Sequence, residues 1–184
     1  MRVLLIYGGP KKEGLAASCL KAANDGLSLA GADIDFAPLH EMDIKSCAVC
    51  FDGWGTCRSE HVCCLEDDLA ALQQRVKDAD AIVVQTPVYW GEVTETLKAF
   101  IDRIRRCEAT KQDNVFQGKP VLLIASPGGT GNGLLSCLQQ MERFVSHVRA
   151  QMFDFIGVNR WNREYKLKAI EAAAFALGSG KKPG

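Results

Sequence analysis

The feature that most restricts how this chain can fold is an alternation, repeated five times along 184 residues, of a short strand-like run with a segment of helical period. Arg2–Tyr7 is an apolar run broken by Gly8-Gly9-Pro10, as expected of a strand buried on both faces and ending in a tight loop. Residues 14–30 then place Leu15, Cys19, Ala22, Ala23, Leu27 and Ala30 at near-helical spacing, and Gly31 ends the helix. Residues 32–39 alternate apolar and acidic side chains, which predicts a more peripheral strand with one wet face. After an irregular stretch over 40–64, Asp67 and Asp68 stand where a first helical turn favours negative charge, and Leu69, Leu72 and Val76 form an apolar stripe. A third strand is predicted over 81–86, stopped by Pro87, and a helix over 92–106 with Val93, Leu97, Phe100, Ile101 and Ile104 on one face. Lys98 and Asp102 fall on the opposite face, and Asp102 with Arg103 reads as a solvated surface or a subunit contact. A fourth strand at 121–125, a helix at 134–148, a fifth strand at 153–158 and a closing helix at 164–177 complete the pattern. The expected class is α/β, a doubly wound parallel sheet with helices on both faces. One domain over 1–177 is expected, followed by a frayed tail of Gly, Ser, Lys and Pro over 178–184.

Composition narrows the partners. Hydrophobic residues make up 47% and charged residues 24%, proportions of a chain that can build a core and not of a disordered one. Lys plus Arg and Asp plus Glu are 22 each, so no basic excess exists to neutralise nucleic acid or anionic lipid. The apolar run from Val3 to Tyr7 is too short for an export signal or a membrane span, and a cytoplasmic location is the default expectation.

Open parallel sheets bind ligands beyond the carboxyl ends of their strands, where strand order reverses. Three Gly- and Pro-rich loops qualify, after strands one, three and four. The first, Gly8 to Gly14, precedes a helix N-terminus whose free N–H groups attract an anion, with phosphate the natural guest. Its glycine spacing is that of neither a Walker loop nor G-x-G-x-x-G. The second, Thr86-Pro87-Val88-Tyr89-Trp90-Gly91, sets two large aromatics at a strand end, a wall suited to a planar heterocycle or alternatively a core cap or oligomer contact. In the third, Ser126-Pro127-Gly128-Gly129-Thr130-Gly131-Asn132-Gly133, four glycines let backbone amides come close to a ligand.

Together these loops resemble the NADPH-dependent FMN reductase family, which includes iron–sulfur flavoproteins and related quinone reductases. The most specific pieces are residues 87–91 with the following Leu97-Lys-Ala-Phe-Ile-Asp-Arg103, and the segment from Ile44 to Cys50 leading to Asp67-Asp68. The resemblance implies a flavodoxin-like three-layer α/β/α sandwich with a five-stranded parallel sheet in order 2-1-3-4-5. It implies that Gly9, Pro10, Lys11, Lys12, Gly14, Leu15 and Ala16 take the phosphate of flavin mononucleotide (FMN). Pro87, Val88, Tyr89, Trp90 and Gly91 would line the isoalloxazine ring, and Ser126, Pro127, Gly128, Gly129 and Asn132 would close the other side. NAD(P)H would be the cosubstrate, with no sequence signal separating NADH from NADPH, and the acceptor would be free flavin, a quinone or another small molecule. No side-chain acid or base is required, because the flavin carries the chemistry. A homodimer or homotetramer is implied likewise. The chain departs from the family pattern where Gly9, Leu15 and Ala16 replace residues with hydroxyl or amide side chains, which predicts a weaker hold on FMN.

Cys47, Cys50, Cys57, Cys63 and Cys64 crowd into one segment, enough thiols for an iron–sulfur cluster or a zinc site. Gly53 stands where the compact iron–sulfur pattern has its third cysteine, so unligated or redox-active thiols are the leading expectation and no metal ligands are assigned. Cys19, Cys107 and Cys137 fall on apolar helix faces, and His40, His61 and His147 have no metal or nucleophile spacing. Two other functions stay open: an electron carrier without nicotinamide turnover, and a cofactor-free regulatory domain of the same fold.

Overall fold

Val3, Leu4, Leu5 and Ile6 are at most 1% exposed, so the first strand, β1 (Arg2–Tyr7), is buried on both faces as its apolar run requires. The computed structural model describes residues 1–180. After β1 come α1 (Leu15–Leu29), β2 (Asp33–Pro38), a 3-10 turn (Leu39–Glu41), a one-turn helix α2 (Thr56–Ser59), α3 (Leu69–Asp78) and β3 (Ala81–Val88). Then follow α4 (Glu95–Glu108), β4 (Pro120–Pro127), α5 (Leu134–His147), β5 (Gln151–Gly157) and α6 (Arg163–Gly178). All five strands are parallel in the order β2-β1-β3-β4-β5, the flavodoxin-like topology. Of the tail expected over 178–184, residues 181–184 lie outside the described residues.

Alternation along each strand divides the core in two. Leu4, Ile6, Ile82, Val84, Val121, Leu123 and Ala125 point to one face and pack against α3, α4 and α5 through Leu72, Phe100, Ile104, Met141 and Phe144. Val3, Leu5, Ala81, Val83, Leu122, Ile124 and Ile156 point to the other and pack against α1 and α6 through Cys19, Ala23, Leu27, Ile170 and Ala174. The edge strands β2 and β5 are only partly covered, which fits the acidic alternation of β2.

Two element ends and one side-chain placement that differ from the sequence expectation have an identifiable cause. β3 runs through Pro87 to Val88: β1 pairs only as far as Gln85 and Gly8 N–H, so the N–H that Pro87 lacks has no partner to miss. α4 starts at Glu95 and not at 92, because Tyr89 and Glu92 exchange both backbone hydrogen bonds in a tight turn. Thr94 then caps the helix by accepting the Leu97 N–H. Arg103 is not on a wet surface: its side chain is 1% exposed and donates to the Asp67 carboxylate, itself 0% exposed, and to the Lys45 carbonyl. Lys98 and Asp102 do pair on the solvent side of α4.

Candidate functional site

β1, β3 and β4 are adjacent in the sheet, and the chain reverses its direction of winding between β1 and β3. Their carboxyl ends open into one cleft of about 290 Å³, lined by Tyr7, Pro10, Lys11, Glu13, Gly14, Leu15, Ala16, Pro87, Val88, Tyr89, Ser126 and Gly128. α1 presents its N-terminus here. Gly14 precedes it with φ 98°, no side chain caps it, and its first turn holds no acidic residue. The positive end of the helix dipole and its first N–H groups are therefore left for an anion. Beneath the cleft, the buried Gln85 donates to Ser126 Oγ at 3.2 Å and keeps an unpartnered Oε1.

Tyr7 is the residue that sequence reasoning passes over. Its hydroxyl donates to the Lys11 carbonyl at 2.6 Å, bracing the first loop from inside. Burial, then Tyr89 and Cys19, raise its phenol above the ordinary value, so it stays a donor. Gly9 lies against this ring, and a Cβ there would fall 2.6 Å from Tyr7 Cζ and Oη. Glycine at position 9 follows from tyrosine at position 7. Lys12 turns outward to Glu41 at 3.6 Å, and Gly9, Lys12, Phe36, Pro38 and His40 belong to a second hollow on the outer side of the loop. Tyr7, Pro10 and Lys11 border both hollows, and of these three Lys11 is the cationic residue.

In the second loop, Tyr89 is half exposed on the cleft, whereas Trp90 is fully exposed at the tip of the turn with φ 53° and does not line it. Gly91 and Gly133 touch, since a Cβ on Gly133 would be 2.5 Å from Gly91 Cα, and Ser136 Oγ donates to the Gly91 carbonyl at 2.7 Å. The glycines of the third loop thus serve contact between loops as well as the cleft, where Gly128 alone of them lies. Gly129 and Asn132 are exposed and Pro127 is buried in β4. Thr94, also absent from the sequence expectation, donates to the Gly8 carbonyl at 2.6 Å and ties α4 to the first loop.

The profile of the NADPH-dependent FMN reductases matches residues 1–159. The chain belongs to this family. An iron–sulfur flavoprotein of Archaeoglobus fulgidus is 31% identical over 165 residues, covering 86% of this chain and 82% of that protein. Against a second iron–sulfur flavoprotein of that organism, 34% identical over 104 residues, the chain spans 46% of the relative's length. Among solved structures, an NAD(P)H:quinone oxidoreductase from Methanothermobacter marburgensis has a TM-score of 0.75 at 18% identity, covering 100% of this chain and 98% of that one. An FMN-dependent NADH-azoreductase from Bacillus anthracis, in complex with FMN, has a TM-score of 0.74 at 13% identity, covering 97% of this chain and all of that one. At these identities the two structures establish a common fold.

The cleft of this FMN reductase family member fits a flavin nucleotide: an uncapped helix end for the phosphate, a close-packed glycine loop beside it, and an apolar and aromatic wall at Pro87, Val88 and Tyr89. The cysteine segment does not fit an iron–sulfur cluster in the same way. Cys47, Cys50, Cys57, Cys63 and Cys64 surround a space of about 20 Å³ together with Arg103 and Arg106, room for about one water. No group of three or more His, Cys, Asp or Glu among the described residues is placed to hold a metal ion. Arg103 Nη2 donates to Cys63 Sγ at 3.2 Å, and Arg106 stacks 4.0 Å over Trp54 and donates to the Gly53 carbonyl. His61 gives a ring nitrogen to the Cys107 carbonyl. Cys19, Cys107 and Cys137 are fully buried, and burial pushes each thiol up to about 12. Among the described residues no helix is long and apolar enough to cross a membrane.

Proposed function

We propose that this protein is an FMN-dependent NAD(P)H oxidoreductase that passes reducing equivalents from a nicotinamide to free flavin, a quinone or another small acceptor. Convergence of three loops on one cleft at the reversal point of the sheet supports this most directly. Bound FMN supplies the two-electron redox chemistry. The chain's own work is to hold and shield it. The first N–H groups of α1 and the Lys11 ammonium neutralise a phosphate, while Tyr7 fixes the loop that carries Lys11. Pro87, Val88 and Tyr89 offer an apolar wall that excludes water from one edge of a planar ring, and Ser126 and Gly128 bound the other side. The half-exposed Tyr89 leaves an open mouth through which a nicotinamide and an acceptor can enter in turn. Assembly as a homodimer or homotetramer belongs to this proposal.

Steady-state oxidation of NADPH and of NADH by the FMN-loaded protein, with riboflavin or a benzoquinone added, tests it. The expected result is turnover with at least one nucleotide that depends on added FMN. FMN binding without turnover on either nucleotide would point to an electron carrier, and failure to bind FMN in calorimetry would point to a cofactor-free domain; either outcome ends the enzymatic assignment.

A further inference from the structure

Cys50 Sγ and Cys64 Sγ lie 3.3 Å apart, little more than 1 Å beyond the length of an S–S bond, about 2.05 Å. Among the described residues they are the only two thiols within hydrogen-bonding geometry of each other. Cys64 is exposed and Cys50 partly so, which leaves the pair open to small reagents. The backbone is held unusually at this point: Val49 and Phe51, on either side of Cys50, have φ of 48° and 52°. A left-handed conformation is uncommon for any non-glycine residue and is an outlier for a β-branched one. Both side chains are exposed, at 64% and 90%, so burial of these two residues does not account for the turn. What the turn does is aim Cys50 across to Cys64, with the Gly53 N–H closing it on the Cys50 carbonyl at 3.0 Å. Of the other thiols, Cys63 accepts from Arg103 and Cys19, Cys107 and Cys137 are buried in the core, while Cys47 and Cys57 are partly exposed and border the same hollow without facing a second sulfur at hydrogen-bond distance.

We propose that Cys50 and Cys64 are a peroxide-sensitive dithiol that closes to a reversible disulfide, a modification site separate from the flavin cleft. The step balances with hydrogen peroxide as oxidant. The exposed Cys64 sulfur attacks one peroxide oxygen, giving a sulfenic acid and one water. Cys50 sulfur then displaces the hydroxyl, which leaves as a second water with the Cys50 proton, so two thiols and one peroxide become one disulfide and two waters. Re-reduction by a dithiol such as dithiothreitol returns both protons and both electrons. Closure ties the turn around Cys50 to the segment that carries Cys63 and Asp67, and so to Arg103 of α4.

The test uses the full chain, reduced and desalted without oxygen, with and without FMN, then treated with hydrogen peroxide and mapped with trypsin under non-reducing conditions. Cleavage after Lys45, Arg58 and Arg75 puts Cys50 and Cys64 on different peptides. The expected result is a loss of two hydrogens and a Cys50–Cys64 cross-link between those peptides, reversed by dithiothreitol and independent of FMN. Cys50→Ser should abolish the cross-link and leave Cys64 trappable by dimedone, whereas Cys47→Ser and Cys63→Ser should retain it. A cross-link assigned to Cys47, Cys57 or Cys63, no cross-link at all, or stoichiometric iron or zinc that must be removed before Cys50 and Cys64 react would overturn the proposal. Because the readout is thiol chemistry, it stands or falls apart from any failure of the oxidoreductase assignment.

Discussion

Tyr7 and Gly9 show how one side chain dictates another two positions away. The tyrosine ring occupies the space where any Cβ at position 9 would stand, at 2.6 Å, and its hydroxyl holds the Lys11 carbonyl that shapes the anion loop. Gly9→Ser therefore damages the loop even though it adds a hydroxyl to it. Overpacking of this kind costs about 1–3 kcal/mol, so FMN affinity measured by fluorescence quenching should fall by about tenfold. The double variant Tyr7→Ala, Gly9→Ser should recover part of the loss; tighter binding by Gly9→Ser alone would refute the steric account. At this scale the sequence is only half readable. Pro10, Lys11, Gly14, Leu15 and Ala16 announce themselves as a loop before a helix, and the structure sets them on the cleft. Tyr7 and Gln85 do not announce themselves, because each sits inside an apolar run where strand periodicity explains it without any further role. Trp90 misleads in the opposite sense, since its bulk suggests a wall and a two-residue turn throws it into solvent.

Among the elements, the pairing of Arg103 with Asp67 is what fastens the irregular 40–68 segment to α4. Arg103 reaches Asp67, the Lys45 carbonyl and Cys63 at once, and Asp67 also accepts from the Lys45 and Leu69 N–H groups. Burial works to raise the Asp67 carboxyl, but the Arg103 hydrogen bonds and those backbone donors outweigh it and hold it below the ordinary value. A lowered carboxyl stabilises the fold above its unfolded pKa, about 3.9, and that contribution disappears as pH drops through the folded value. Urea midpoints should accordingly fall as pH is taken below about 4. Asp67→Asn should lower stability by about 3–5 kcal/mol at pH 7, since it strands a buried guanidinium, and should flatten the acid dependence. An unchanged midpoint at pH 7 would show the pair to be dispensable. Helical spacing places Arg103 next to Asp102 near the wet side of α4, and nothing local reveals a carboxylate 36 residues upstream. The strands and helices were accessible because apolar runs of one strand length and stripes of helical period are short-range signals; α4's start was not, because the Tyr89–Glu92 bridge and the Thr94 cap belong to the turn.

For the whole molecule, the α/β class follows from a pattern of strands and helices, and sheet order from a family resemblance that extends along nearly the full chain, while the cleft depends on how three loops meet. Gly9, Leu15 and Ala16 offer no side-chain hydrogen bond to a phosphate, and Lys12 is drawn away by Glu41. Each missing bond to a charged group weakens binding by about 1.5–3 kcal/mol, or roughly tenfold or more in Kd. The FMN-loaded protein should lose its yellow colour on extensive dialysis, and absorbance at the flavin band against dialysis time measures this. Full retention would mean that the α1 N-terminus and Lys11 suffice. The five crowded cysteines lie beyond what spacing alone can interpret, because whether they grip a metal or face one another is decided by backbone turns at Val49 and Phe51 that no composition rule foresees.

Thr94 shares one oxygen between Gly8 and Leu97, and Gly91 rests against Gly133, so the first loop is stitched to the second and the second to the third. The rim of the cavity is therefore a linked series of main-chain segments rather than a set of independent flaps. A guest that pushes the second loop outward must strain both of its neighbours, which favours flat, rigid molecules that slide in edgewise over bulky ones that would need a gate to swing.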